Sequence, residues 1–267
     1  MDCIKIMVDI WRKLKMNTSE ILDLILSRYV VAVGGRYSRG KSLILSALGF
    51  FDIAMNNRIS FLTNMPVNYD KLFKEKIDYT PLVSTSQFDN IPRGSNIVMD
   101  EAQQDLNARN SSSTTNRFLT VFGRDVAKLD CRLRISFQNG DTLDKVIGFA
   151  IDAIIIPEYL ETYSKNIKED NIQRIENKDF RLNLTVYDRR DGEQYFISGK
   201  NFNLYPMIFT YDTRFKMNRL YVNHKDFLER LKGQNKEYYE LNHVVEIQDR
   251  LDNWNTSMKN IGDIKIR

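Results

Sequence analysis

A chain of 267 residues is long enough for one large α/β domain with a small appendage, and 42% hydrophobic with 28% charged residues is the composition of a soluble globular protein. Two distant cysteines, Cys3 and Cys131, exclude a disulfide framework and favour a reducing, intracellular setting, while His224 and His243 alone leave little for a zinc site or a histidine triad. The net charge of +4 permits a polyanionic partner without demanding one, and residues 200–232 alone hold seven Lys/Arg against three Asp/Glu.

In chain order, residues 1–28 place Ile21, Leu22, Leu24 and Ile25 at helical spacing and predict a helical lead-in. The N-terminus mixes acids and bases and does not have the pattern of a signal peptide. Residues 29–33 (YVVAV) are β-branched and apolar on both faces, as in a buried parallel strand. Residues 41–55 follow as a helix that is apolar nearly all round and therefore covered on several sides. Further buried strands are expected at 59–63, 97–99, 132–137 and 153–156, with helical stretches between them. Strand and helix in alternation predict an α/β fold, a parallel sheet covered by helices on both faces.

The serine-rich stretch 110–116 (NSSSTTN) is expected to be a loop. After about residue 175 the texture changes. Residues 181–188 alternate as a half-exposed strand does, Arg190-Asp191-Gly192 is turn-prone, and 194–197 completes an antiparallel hairpin. A polar helix is expected over 225–250. The organisation is thus a helical lead-in (1–28), a nucleotide-binding core (29–175) and a C-terminal hairpin with a helical extension (176–267). The most apolar run, 146–157, is too short to span a bilayer and contains Asp152, so no integral membrane segment is expected.

The chemistry begins at Gly34-Gly35-Arg36-Tyr37-Ser38-Arg39-Gly40-Lys41-Ser42. Gly35 to Ser42 fits G-x-x-x-x-G-K-[ST] at every fixed position, directly after a buried strand and opening a helix. Glycines let backbone amides close around a β-phosphate, and the following helix points its positive end at it. Lys41 is placed to reach the β- and γ-phosphates, and the Ser42 hydroxyl to ligate Mg²⁺. Gly35, Ser38, Arg39, Gly40, Lys41, Ser42 and Leu43 are the residues expected to cradle ATP.

Ile97-Val98-Met99-Asp100-Glu101 supplies the second half. A hydrophobic strand delivers Asp100 to its end, where a carboxylate can hold Mg²⁺ through water, and Glu101 is placed to polarise an attacking water. The glutamate favours hydrolysis of ATP over a GTPase switch. No N-K-x-D guanine signature occurs, since Asn177-Lys178-Asp179-Phe180 lacks the final Asp. Gln138, ending the strand 132–137, is either a sensor that orients the attacking water or a strand cap. Arg124 is the leading candidate for an arginine finger reaching a neighbour's ATP, with Arg109 and Arg117 as competitors. Aromatics interleave with the basic residues of the tail (Phe202, Tyr205, Phe209, Tyr211, Phe215, Tyr221, Phe227), and strand-like core packing accounts for them better than a nucleic-acid surface does.

Taken together, the loop, FLTNMP (61–66), VMDEAQQ (98–104), GRDVAKLDCRLRISFQN (123–139) and FTYDT (209–213) resemble the FtsK/HerA branch of P-loop ATPases, especially viral genome-packaging and Zot-like morphogenesis ATPases. The resemblance spans about residues 29–215 and implies an ASCE-type, RecA-like core. In that family an acid pair followed by Ala-Gln closes Walker B, matching Asp100, Glu101, Ala102 and Gln103, while an Arg before the next strand and a Gln at its end match Arg124 and Gln138. It further implies ATP and Mg²⁺ as ligands, a homo-oligomeric and often hexameric ring, and action on double-stranded DNA with a capsid or portal-like partner. The setting implied is cytoplasmic, in the host cell where the source is a virus, or virion-associated. Two other functions compete. An AAA+ initiator or loader would need a helical lid after the strand 153–156, and residues 158–178 are too short for one. A Zot-like assembly or secretion factor would use ATP as a switch.

Overall fold

The computed structural model describes residues 17–36, 39–56, 61–65, 67, 69, 79–82, 85–102, 125–138, 145–159, 180–201, 203–205 and 207. The expected loop 110–116 and helix 225–250, together with Arg109, Arg117 and Arg124, lie outside these residues.

Helix α1 (Thr18–Ser27) opens on a capping box: the Asn17 side chain accepts from the Glu20 amide, and the Glu20 carboxylate accepts from the Asn17 amide, each at 2.9 Å. Its apolar stripe buries Ile21, Ile25 and Leu26. The chain then enters strand β1 (Val30–Gly34), which is buried throughout, and helix α2 (Lys41–Asn56) follows the intervening loop.

The remaining strands are β2 (Phe61–Thr63), β3 (Thr80–Pro81), β4 (Asn96–Met99), β5 (Arg132–Phe137), β6 (Ala153–Tyr159), β7 (Leu182–Asp188) and β8 (Glu193–Ile197), with a short helix α3 (Lys145–Ala150) ahead of β6. They form one eight-stranded sheet in the order β3-β2-β4-β5-β1-β6-β7-β8. The first six strands run parallel; β7 and β8 are antiparallel additions, and the hairpin therefore continues the sheet. Gly192, at φ 70°, sits in the turn that joins them, where a left-handed residue is needed.

Alternate residues of the strands feed two cores. On one face Val31, Val33, Val98, Ala153 and Ile155 pack with α1, α2 and the inner residues Leu182, Leu184 and Val186 of β7. On the other, Val30, Ala32, Leu62, Ile97, Leu133 and Ile135 pack with Leu82, Phe88, Ile91, Val126 and Ile151. Burial on both faces is what makes β1 and β4 read as continuous apolar runs, and each fully buried Val, Leu or Ile contributes roughly 1.5–3 kcal/mol.

The strands expected at 29–33, 97–99 and 132–137 and the hairpin appear within a residue or so of their expected limits. Two features differ. Strand β3, only two residues long and ending in Pro81, leaves no periodic signature. Strand β6 runs on to Tyr159 through Pro157, whereas Ile156 is its expected end. Its pairing with β1 stops at Ile155, so only β7 flanks the later residues, and a strand open on one side tolerates proline.

Two ion-paired clusters tie this frame together. Arg134 of β5 and Asp52 of α2, both fully buried, form a two-pronged ion pair at 2.7 and 2.9 Å. The same guanidinium donates to the Arg28 carbonyl at 2.8 Å and the Leu26 carbonyl at 3.4 Å, closing the end of α1. Arg28 in turn donates to Asp188 and Asp191, which ties the start of β1 to the hairpin. Burial alone would lower the Arg28 pKa; the hydrogen bond and charge of Asp188, followed by those of Asp191, more than offset it and raise it.

Candidate functional site

The site lies at the C-terminal ends of β1, β4 and β5, where open parallel sheets bind ligands. Topology brings it together. β5 is inserted between β1, which leads into the glycine-rich loop, and β4, which leads into Asp100. That order, with one strand between the loop strand and the acidic strand, is the ASCE arrangement of the P-loop fold, and it puts Gln138 at the end of the intervening strand.

The loop leaves β1 through Gly35, at φ 130°, and reaches α2 through Gly40, at φ 83°. Both angles favour glycine. At Gly40 space is short as well: a Cβ would stand 2.7 Å from a methyl of Leu182, the buried first residue of β7. The ladder of α2 begins with the Ile44 amide donating to the Gly40 carbonyl at 3.0 Å. Helical hydrogen bonding does not use the amides of a first turn, which makes this end of α2 suited to an anion. Leu43 is buried in the core beneath it, and Arg36 and Arg39 are exposed on the loop. Lys41 is 8% exposed, and its ammonium donates to the Arg36 carbonyl at 2.8 Å, which holds the cation against the loop itself.

Ser42 and Asp100, 58 residues apart in sequence, meet here: the serine hydroxyl donates to Asp100 Oδ2 at 2.9 Å. The other oxygen, Oδ1, accepts from the Ser136 hydroxyl of β5 at 2.5 Å and from the Glu101 amide at 3.1 Å. Every one of these partners donates, so the carboxylate serves as an acceptor on both oxygens. Asn64, just past β2, grips the Asp100 backbone from the other side. Its side-chain amide donates to the Asp100 carbonyl at 3.0 Å, and its side-chain carbonyl accepts from the Asp100 amide at 2.8 Å. Glu101 follows at φ 53°, a left-handed conformation that glutamate adopts at a cost of about 1–2 kcal/mol.

Of the residues singled out from sequence, Gly35, Gly40, Lys41, Ser42, Asp100 and Glu101 converge on this corner, and Gln138 lies half-buried at the end of β5. Ser38 and Arg124 lie outside the described residues. Ser136, Asn64 and Leu182 are additions that sequence reasoning did not reach. The available hint was polarity out of place: Ser136 interrupts a buried apolar strand, and Asn64 follows one directly.

The donor set fits a magnesium-nucleotide. A serine hydroxyl beside a carboxylate supplies hard oxygens, and Mg²⁺ is commonly held by one or two protein oxygens, substrate phosphates and water. No group of three or more His, Cys, Asp or Glu able to cage a metal occurs among the described residues. No described helix is long and apolar enough to cross a membrane.

No protein-family model matches the chain. No curated protein matches it either. Solved structures with a similar fold include the DNA-packaging ATPase B204 from Sulfolobus Turreted Icosahedral Virus, at TM-score 0.42 and 14% identity over 63% of this chain and 96% of that one. They also include the N-terminal domain of zonular occludens toxin from Neisseria meningitidis, at TM-score 0.41 and 12% identity over 64% and 94%. ATPases 2 and 3 of EssC from Geobacillus thermodenitrificans align at TM-score 0.38 and 10% identity over 65% and 40%. Likenesses this distant do not transfer a function, which has to be read from the residues of the site.

Proposed function

We propose that the protein is a magnesium-dependent ATPase whose hydrolysis drives movement of double-stranded DNA through a homo-oligomeric, hexamer-sized ring, with a capsid or portal-like protein as a further partner. The reading is carried by one observation: Ser42 of the loop stands 2.9 Å from Asp100 at the end of the acidic strand, with Glu101 next in the chain. In this reading Lys41 neutralises phosphate charge, Ser42 and Asp100 hold Mg²⁺, and the amides from Gly35 through Leu43, Ser38 and Arg39 included, cradle the phosphates. Magnesium supplies charge neutralisation on the phosphate oxygens when bound. Glu101 takes the proton of the attacking water, and Gln138 orients that water. Arg124 serves the neighbouring subunit's site. The DNA-moving part of the reading is supported by the motif resemblance to packaging ATPases and by the cation excess of residues 200–232.

Phosphate release measured with and without duplex DNA, alongside light scattering for assembly, tests it. Glu101→Gln is expected to lower turnover by about 10²–10⁴-fold while nucleotide binding survives. Lys41→Ala is expected to abolish turnover and weaken binding. Hydrolysis indifferent to DNA in a particle that stays monomeric under all conditions would exclude the motor and leave a nucleotide-binding assembly factor.

A further inference from the structure

Ser136 has a bonding pattern that core packing alone does not require. It is fully buried on β5, two residues before Gln138. Its hydroxyl donates to Asp100 Oδ1 at 2.5 Å and accepts from the Glu101 amide at 2.8 Å. One side chain thus bonds the carboxylate of the first acid and the backbone of the second. Glu101 holds φ 53°, and a strained backbone of this kind persists only where its surroundings over-determine it. The bonds from the Glu101 amide to Ser136 and to Asp100 fix the peptide plane from which that angle is measured. Meanwhile Asp100 is pinned through Oδ1, leaving Oδ2 directed at Ser42.

We propose that Ser136 is a positioning residue for the cation-bound nucleotide: it orients the Asp100 carboxylate towards Ser42 and sets the direction in which the Glu101 side chain leaves β4. The proposal rests on the nucleotide-site reading above, and it is independent of DNA, ring assembly and the rate of hydrolysis. Residues that orient a metal-binding carboxylate act on cation affinity, because a loosened ligand must be re-ordered each time the ion binds.

The test is titration of a fluorescent, non-hydrolysable ATP analogue into the full chain, with Mg²⁺ varied from none to saturating. Ser136→Ala is expected to raise the Mg²⁺ concentration for half-maximal enhancement of binding by about 10–100-fold, with affinity in the absence of the cation unchanged. Ser136→Thr keeps the hydroxyl and is expected to recover most of the response. If circular dichroism shows that the alanine variant does not fold, Ser136→Cys, nearly the same size and a weak donor, is expected to show the same split. A variant without the hydroxyl that keeps the wild-type Mg²⁺ response overturns the proposal, as does a threonine variant as impaired as alanine. Wild-type protein with no Mg²⁺-dependent binding overturns this proposal and the nucleotide-site reading together. A normal wild-type response with an unchanged alanine variant removes only the role of Ser136.

Discussion

Two polar clusters lie towards opposite ends of the same sheet, and they are built differently. At one end Arg134 and Asp52 are both fully buried, paired through two hydrogen bonds, with the rest of the guanidinium turned to the carbonyls that end α1. At the other, Asp100 and Glu101 are half-buried, Glu101 is held left-handed, and the Asp100 carboxylate keeps Oδ2 on Ser42. The first cluster is saturated and has no surface on which to meet a ligand. The second is held in place from behind, by Ser136 and Asn64, while its front faces the glycine-rich loop. Charge at the first end therefore specifies how α1, α2 and β5 assemble. Charge at the second is kept where it can be used.

If that division is right, the largest effect on folding comes from breaking the saturated cluster. Arg134→Ala leaves Asp52 buried without its counter-charge and is expected to destabilise the protein by about 3–5 kcal/mol, read from urea unfolding. Replacing both partners by apolar residues of similar size, Arg134→Met with Asp52→Leu, is expected to recover most of that loss. A small effect of the single change would mean that the pair is not the fastening it resembles. Glu101→Gln gives the converse, a loss of turnover with little change in the unfolding midpoint.

Gly40→Ala probes the junction between the loop and the hairpin. It places a Cβ at φ 83° and 2.7 Å from Leu182, so the loop or the root of β7 must shift. The expected cost is about 1–3 kcal/mol of stability, accompanied by weakened nucleotide binding, because the strained position is itself part of the loop. Leu182→Ala opens the space that the alanine needs, and the double variant is expected to regain nucleotide binding relative to Gly40→Ala alone. Failure to regain it would place the defect in the backbone angle instead of the contact.

What was legible in the sequence follows this division only in part. The strands could be read because burial on both faces writes long β-branched runs, and the loop because phosphate chemistry restricts residue types at fixed spacing. Asp100 and Glu101 were legible for the same reason. Ser136 and Asn64 were not, because each of their bonds to the acid pair spans 35 or 36 residues and depends on strand register. A serine in a buried strand has no sequence signature that separates a bonded hydroxyl from a tolerated one. The Arg134–Asp52 pair, 82 residues apart, is hidden in the same way. Leu182 reads as an ordinary strand residue until β7 is laid beside the loop.

The smallest effect concerns the core between the two clusters. Tyr69 is buried against Phe61 and Phe50, and its hydroxyl donates to the Ser46 carbonyl of α2 at 2.8 Å. Burial raises its pKa well above the ordinary value of 10.0, outweighing the Ser46 hydroxyl, which donates to the phenol oxygen at 3.5 Å and favours the ionised form, and the charge of Asp52 adds to the rise. The folded state therefore keeps the phenol protonated where the unfolded chain ionises it. Stability contributed by this group is whole well below pH 10 and is lost as pH rises through that value, by about 1 kcal/mol between pH 10 and pH 11. Tyr195, also raised by burial and by neighbouring acids, contributes a slope of its own. The discriminating measurement is the difference in unfolding free energy between wild type and Tyr69→Phe at pH 10 and pH 11. The phenylalanine variant lacks the hydrogen bond at both values, so its absolute stability decides nothing, but its slope should be shallower by one tyrosine. Equal slopes would mean that Tyr69 reaches water more readily than its packing implies, and that the core between the two clusters opens before the protein unfolds.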